Sequence, residues 1–309
     1  MKDFFPMHRW TGERGFLNDG KYNAPNNYVA GVEYGKENPP YFPGYIENEN
    51  HPFMFCNSLT HPDPQDSTKL SFNFSGSDGP KEFEKNKIKK GPDWKYLTKE
   101  ITYNVNSSGY RTHEWKDINW KDAILLFGCS CTYGIGVAED ETMSYYLEKL
   151  TGRQVVNLGY PGGSNSVIAT LCAIALEKYG NPYAVVANWT TGDRYRHYFK
   201  DQYREVGPWD HSSVTKNEFD RTVQNIDLST AWESRYLDRY NELAENYYIS
   251  KIVKTLCRGS KYVSMSYFGY MAHINRADFY VPFRLEARDL LHPSAEDHEI
   301  SAKKIVELL

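Results

Sequence analysis

The chain has 309 residues, enough for one α/β domain plus a sizeable additional segment. A formal charge of −4 argues against a general binder of phosphate backbones, which carries a basic excess or stripe. Five cysteines without regular spacing imply no disulfide framework, and no stretch approaches the roughly 18 apolar residues of a membrane span or the apolar core of a secretory signal, so the expectation is a soluble, cytoplasmic chain with no nucleic-acid partner.

Ten of the 15 prolines precede residue 118, together with Asn-, Gly- and Asp-rich stretches such as Tyr34 to Pro40 and Thr60 to Asp66. Such residues interrupt helices, so residues 1–118 read as an irregular, β-rich accessory segment that docks on the rest of the chain or on a protein partner. Alternation at Lys69 to Phe74 is strand-like, and the lysines between Lys81 and Lys90 read as a solvated face.

From about residue 119 apolar runs bounded by glycine alternate with helical periodicity, the pattern of βαβ units around a parallel sheet. Strands are predicted at Ala123 to Gly128, Gln154 to Leu158, Tyr183 to Trp189 and Tyr262 to Phe268. Helices are predicted near Glu141 to Leu150, Ser166 to Tyr179 and Ala231 to Leu256, the last with Tyr236, Tyr240, Leu243 and Tyr247 on its apolar face. A closing helix opens after Pro293, with Ile300, Ile305 and Leu308 on its inner side. The expected fold class is a three-layer α/β/α domain with a flavodoxin-like parallel sheet over residues 119–309.

The first predicted strand runs into Gly128-Cys129-Ser130, which places a serine at the carboxyl end of a parallel strand, where open α/β sheets bind ligands. A serine hydroxyl needs a base to take its proton, and the base needs an orienting acceptor. Near the C-terminus stand Asp289 and His292 in Asp289-Leu290-Leu291-His292-Pro293.

The two blocks, Gly-x-Ser-x-Thr-x-Gly over Gly128 to Gly134 and Asp-x-x-His-Pro over Asp289 to Pro293, together resemble the first and last blocks of the SGNH (GDSL-like) hydrolase family. The resemblance implies Ser130 as nucleophile, His292 as general base and then acid, and Asp289 as the residue that fixes the His292 tautomer. It also implies an oxyanion hole from the Ser130 N–H and the Gly162 N–H, because Asn157-Leu158-Gly159-Tyr160-Pro161-Gly162 is similar to the family's second block. The family's third donor is an asparagine after the next strand. Here Thr191 occupies its place in the ungapped alignment, with Asn188 and Asn165 as alternatives, and Cys129 stands where most members carry aspartate. Upstream, Tyr103 to Arg111 is similar to a Tyr-x-x-Asn-x-x-Gly-Tyr-Arg leader of some bacterial and phage members, which adds a phage-associated setting to the expectation.

The resemblance implies a serine esterase acting on small acyl esters without metal or organic cofactor, and the Tyr-, Trp- and Arg-rich crevice region, without an evident greasy groove, favours O-acetyl groups of an acetylated glycan. Arg194, directly after the third block, is the candidate substrate contact, although a helix start at Arg194 to Tyr198 is an equal reading. The alternatives are a non-catalytic binding or structural protein on the same fold, and an O-acyltransferase using the same serine. The remaining histidines, His113 among them, have no matched partners in the sequence, and Arg111 reads either as a substrate contact or as a structural ion pair.

Overall fold

A computed structural model of the chain describes residues 69–199, 202–206 and 239–309. The stretches Tyr34 to Pro40 and Thr60 to Asp66, and Tyr236 of the predicted long helix, lie outside the described residues.

The described part of the leading segment begins with β1 (Ser71–Phe72), helix α1 (Pro80–Lys90) and β2 (Tyr103–Asn104), which pairs antiparallel with β1. The lysine-rich patch is thus the exposed side of α1. Pro80 fits the first turn, where its missing N–H is no loss, and Lys87, Lys89 and Lys90 sit favourably at the negative end of the helix dipole. Phe72, Trp94, Tyr96, Ile101, Tyr103 and Val105 form a second core beside the main one, closed by Tyr133, Ile135 and Ala138.

The main sheet starts with β3 (Ile124–Gly128), followed by the short helix α2 (Ser130–Tyr133), α3 (Met143–Thr151), β4 (Val155–Gly159), α4 (Asn165–Tyr179) and β5 (Ala184–Trp189). An antiparallel hairpin of β6 (Tyr195–Phe199) and β7 (Gln202–Val206) comes next, so the stretch after Arg194 is a strand where the sequence also allowed a helix start. The chain then runs through α5 (Arg239–Leu256), β8 (Lys261–Ser266), α6 (Gly269–Asn275), β9 (Phe279–Tyr280) and α7 (Ala295–Leu308). The short helix α2, the hairpin, α6 and β9 are additions to the predicted elements; the four predicted strands, α3 and α4 occur within one or two residues, and α5 ends at Leu256 as predicted, while its predicted start at Ala231 lies outside the described residues.

The five strands lie in the order β4-β3-β5-β8-β9, all parallel. β3, β4 and β5 are buried at every position, as expected when helices cover both faces of a sheet. Ile124, Leu126, Val186 and Val263 face α3 and α7, contributing with Met143, Leu147, Ala302 and Ile305 to one core layer. Leu125, Phe127, Val156 and Val185 alternate to the opposite face, the side of the α4 and α5 pair. This is the predicted three-layer α/β/α arrangement. The winding reverses between β3 and β5, which opens a crevice at their carboxyl ends. No helix among the described residues is long and apolar enough to cross a membrane.

Two predicted faces need correction. On α5 the buried stripe is Glu242, Asn246, Ser250 and Val253, whereas Leu243 is exposed: the period is right and the phase is one residue off. The polar residues turn inward because Asn246 bonds to Asn165 and Glu242 packs against Gly192. On α7, Ile305 is buried but Leu308 is exposed, and Ala302 fills the inner face.

Candidate active site

Ser130 sits at the first position of α2, immediately beyond the carboxyl end of β3, and is 7% exposed. Glycines make this turn possible by letting backbones touch. A Cβ on Gly128 would drive into Thr132, and one on Gly159 would meet the Tyr133 backbone, with Cα at 2.8 Å. Asn157 ties the turn to β4, its amide donating to the Thr132 carbonyl at 3.0 Å while its Oδ1 accepts the Gly159 N–H at 3.0 Å.

Across the crevice His292 Nε2 lies 2.8 Å from Ser130 Oγ, and His292 Nδ1 lies 2.6 Å from Asp289 Oδ2. The three sequence-predicted residues therefore meet in one hydrogen-bonded line. Their loop is bent by Leu290, a non-glycine residue at φ +57°, and by the Leu291 N–H, which donates to Asp289 Oδ1 at 3.0 Å. Burial by itself would push the Asp289 carboxyl up. His292, the Ser77 hydroxyl and the Leu291 N–H outweigh it and hold the carboxyl below its usual range, so it is ionised at neutral pH.

Gly162 adopts φ +77° in the turn after β4. Among the described residues, neither the Ser130 nor the Gly162 N–H donates to a backbone carbonyl. Both asparagines considered as the third donor are committed elsewhere. Asn188 donates to Thr132 Oγ1 at 2.9 Å, and Asn165 donates to the Thr190 carbonyl at 3.1 Å and to Asn246 Oδ1 at 2.6 Å while accepting the Thr190 N–H. Thr191 differs: its hydroxyl is buried and has no hydrogen-bond partner among the described residues. The Arg194 charge acts on Cys129 and Cys131, which flank Ser130. Both thiols belong to the apolar core; the Cys129 contact, with burial, pushes the Cys131 thiol up, while the Cys131 contact outweighs burial and holds the Cys129 thiol down.

The leader block has a structural explanation. Asn106 Oδ1 accepts the N–H groups of Ser108 and Tyr110, both at 3.0 Å, and Gly109 takes φ +81°. Arg111 is buried, bonded to Glu139 at 2.9 Å and to the carbonyls of Gly134 at 2.7 Å and Val137 at 3.1 Å. It therefore braces the loop that follows α2, which is the structural ion pair of the two sequence readings. Tyr103 adds to the brace, its hydroxyl accepting the Gly136 N–H at 2.7 Å.

Three residues at this site escaped sequence reasoning. Ser77 Oγ donates to Asp289 Oδ2 at 2.7 Å, and Asp78 pairs with Arg288, the neighbour of Asp289. Ser77 and Asp78 carry no motif, and their sequence distance of more than 200 residues from Asp289 leaves no local signal.

No protein-family model matches the chain, and no curated protein matches it. Solved structures to which it is similar include TesA, with a TM-score of 0.37 and 13% identity over 61% of this chain and 98% of that one. Another is the psychrotrophic esterase EstA from Pseudoalteromonas sp., at TM-score 0.34 and 12% identity over 60% and 96% of the two chains. A third is the acetyl xylan esterase Est2A from the rumen bacterium Butyrivibrio proteoclasticus, at TM-score 0.35 and 10% identity over 67% and 65%.

Proposed function

We propose that the protein is a serine esterase of the SGNH type that removes small acyl groups, O-acetyl groups on a carbohydrate foremost, through an acyl-Ser130 intermediate. The observation that carries this reading is the continuous line Ser130 Oγ to His292 Nε2 at 2.8 Å and His292 Nδ1 to Asp289 Oδ2 at 2.6 Å. Nucleophile, base and orienting acceptor are each within hydrogen-bond reach, which a fold kept only for binding has no reason to maintain.

In this mechanism His292 Nε2 takes the Ser130 proton as Oγ attacks the ester carbonyl. Asp289 holds the Nδ1–H tautomer and stabilises the imidazolium that forms. The developing oxyanion is met by the Ser130 and Gly162 N–H groups and by the Thr191 hydroxyl. His292 then returns the proton to the leaving sugar oxygen, and a water activated by the same imidazole releases the acid from Ser130. Acetyl is favoured over a long acyl chain because the loop after β5 supplies Thr191, Asp193 and Arg194, and β6 opens on Tyr195, rather than aliphatic side chains, with Arg194 as the contact to the sugar part.

The test is a series of p-nitrophenyl acyl esters and a fluorophosphonate probe, applied to wild type, Ser130→Ala and His292→Ala. Turnover is expected to be fastest with acetate and to fall by roughly 10⁴-fold or more in either variant. Turnover and labelling that persist in Ser130→Ala would overturn the reading, as would their absence from wild type.

A further inference from the structure

Asp289 Oδ2 receives two donors, His292 Nδ1 at 2.6 Å and Ser77 Oγ at 2.7 Å, while Oδ1 takes the Leu291 N–H at 3.0 Å. His292 and Leu291 belong to the same loop as Asp289. Ser77 comes from 212 residues earlier in the chain. An ionised carboxylate oxygen has lone-pair capacity for two donors, and charge-assisted bonds are the strong ones, so three bonds from three directions fix the plane of the carboxylate.

Ser77 is itself held. It lies in a tight turn closed by reciprocal bonds between Ser75 and Asp78 at 3.0 and 3.1 Å, with Gly76 at φ +58° in the left-handed region that such turns require. Asp78, 1% exposed, accepts Arg288 Nε at 2.9 Å, Arg288 Nη2 at 2.7 Å and the Tyr103 hydroxyl at 2.5 Å. The Arg288 guanidinium lies 4.6 Å from the Phe74 ring and 5.4 Å from the Phe83 ring. The Arg288 backbone is fixed as well, its N–H donating to the Gly136 carbonyl at 2.8 Å and its carbonyl accepting Asn86 Nδ2 at 3.0 Å. The residue before Asp289 and the residue after Ser77 are thus joined by a buried, bidentate pair, which holds the Ser77 turn against the Asp289 loop.

We infer that Ser77 is a positioning residue of the triad, a fourth member supplied by the leading segment, which orients Asp289 against His292. The inference rests on the Ser130, His292 and Asp289 roles proposed above. Without the Ser77 hydroxyl, Oδ2 keeps only His292, the carboxylate gains rotational freedom, and the imidazole loses its fixed line to Ser130 Oγ. Ser77 touches no substrate atom in this scheme, so the loss falls on turnover and not on substrate binding.

The 309-residue chain is compared with Ser77→Ala, Ser77→Thr and Ser130→Ala in p-nitrophenyl acetate kinetics, and proton NMR follows the low-field resonance of the His292 Nδ1–H. Ser77→Ala is expected to lower kcat roughly tenfold with KM within about twofold, and Ser77→Thr to restore most of it. The low-field resonance is expected to move in Ser77→Ala and to return in Ser77→Thr. Turnover that needs Ser130 yet is the same in Ser77→Ala, with the resonance unmoved, overturns the role of Ser77 and leaves the triad standing. Turnover unchanged in Ser130→Ala removes the triad, and the role of Ser77 with it.

Discussion

At the scale of single residues, the proposed esterase reading turns on what would meet the oxyanion at the position where the family that the sequence resembles carries an asparagine. In the block after β5 the Thr191 hydroxyl is buried, lacks a hydrogen-bond partner among the described residues and aligns with that asparagine, while the amides of Asn188 and Asn165 are bound to Thr132 and to the Thr190 backbone. Losing one donor of this kind costs about 3 kcal/mol, so Thr191→Ala should lower kcat roughly 100- to 1000-fold with KM little changed. Thr191→Ser should keep most of the activity, and steady-state kinetics of the two variants decide the matter. A second residue-scale expectation concerns Gly159. Its missing Cβ leaves room for the Tyr133 backbone, which has no flexible end to swing aside. Gly159→Ala should push α2 off β4, costing roughly 1–3 kcal/mol in urea unfolding, and should depress turnover by more than that stability loss explains. Of these residues, Thr191 was legible by position alone, and Gly159 by its place in a motif. What they touch was not, because touching depends on the strand pairing of β3 with β4 and β5.

Among elements, the leader block and α3 show how surface chemistry reports on the sheet. His113 Nε2 lies 2.6 Å from Glu148 Oε1, and the same carboxylate oxygen accepts the Val155 N–H at 2.8 Å, so one glutamate joins the leader, α3 and the start of β4. The bond to Glu148 raises the His113 pKa above its ordinary value, against a smaller opposing effect of burial. A raised folded-state pKa means that the protonated form is favoured by folding. The stabilisation is therefore fully present below the unfolded value of about 6.5 and is lost as pH rises through the folded one. His113→Gln should melt below wild type at about pH 5.5, and the gap should narrow by about pH 9, which thermal scans at the two pH values would show. Because His113 is 40% exposed, solvent screening keeps the effect small. Sequence patterning located α3 through its apolar buried residues Met143 and Leu147, and the closing helix through Pro293 at its opening, although Asp297, His298 and Ser301 share its buried side with Ala302 and Ile305. It misphased α5 for a physical reason: that helix turns Glu242 and Asn246 inward toward the loop carrying Thr191 and Ser250 inward onto its own Tyr247 carbonyl, and a hydrophobic periodicity cannot register a polar buried face.

For the molecule as a whole, the parallel sheet was readable because every position of β3, β4 and β5 is buried and apolar runs mark such strands, whereas the attachment of the leading segment was not. That attachment is polar at its centre. Asp78 and Arg288, with side chains 0% and 5% exposed, form a buried ion pair walled by Phe74 and Phe83, and a pairing of one acid with one base leaves no trace in composition or period. Removing one partner strands the other as an uncompensated buried charge, a loss of roughly 3–5 kcal/mol, while replacing both with apolar groups is often near neutral. Arg288→Met alone and Asp78→Leu alone should each lower the urea midpoint strongly, and the double variant should regain much of the stability. Turnover should part company with stability in the double variant. The guanidinium that locks the Ser77 turn to Asp289 is gone there, so kcat should stay depressed even where the unfolding midpoint has recovered. Equal recovery of both would mean that the pair only glues the segment down. A lasting deficit in kcat would make residues 69–118 part of the machinery, since a segment that merely decorates the fold has no reason to reach the carboxylate behind the base.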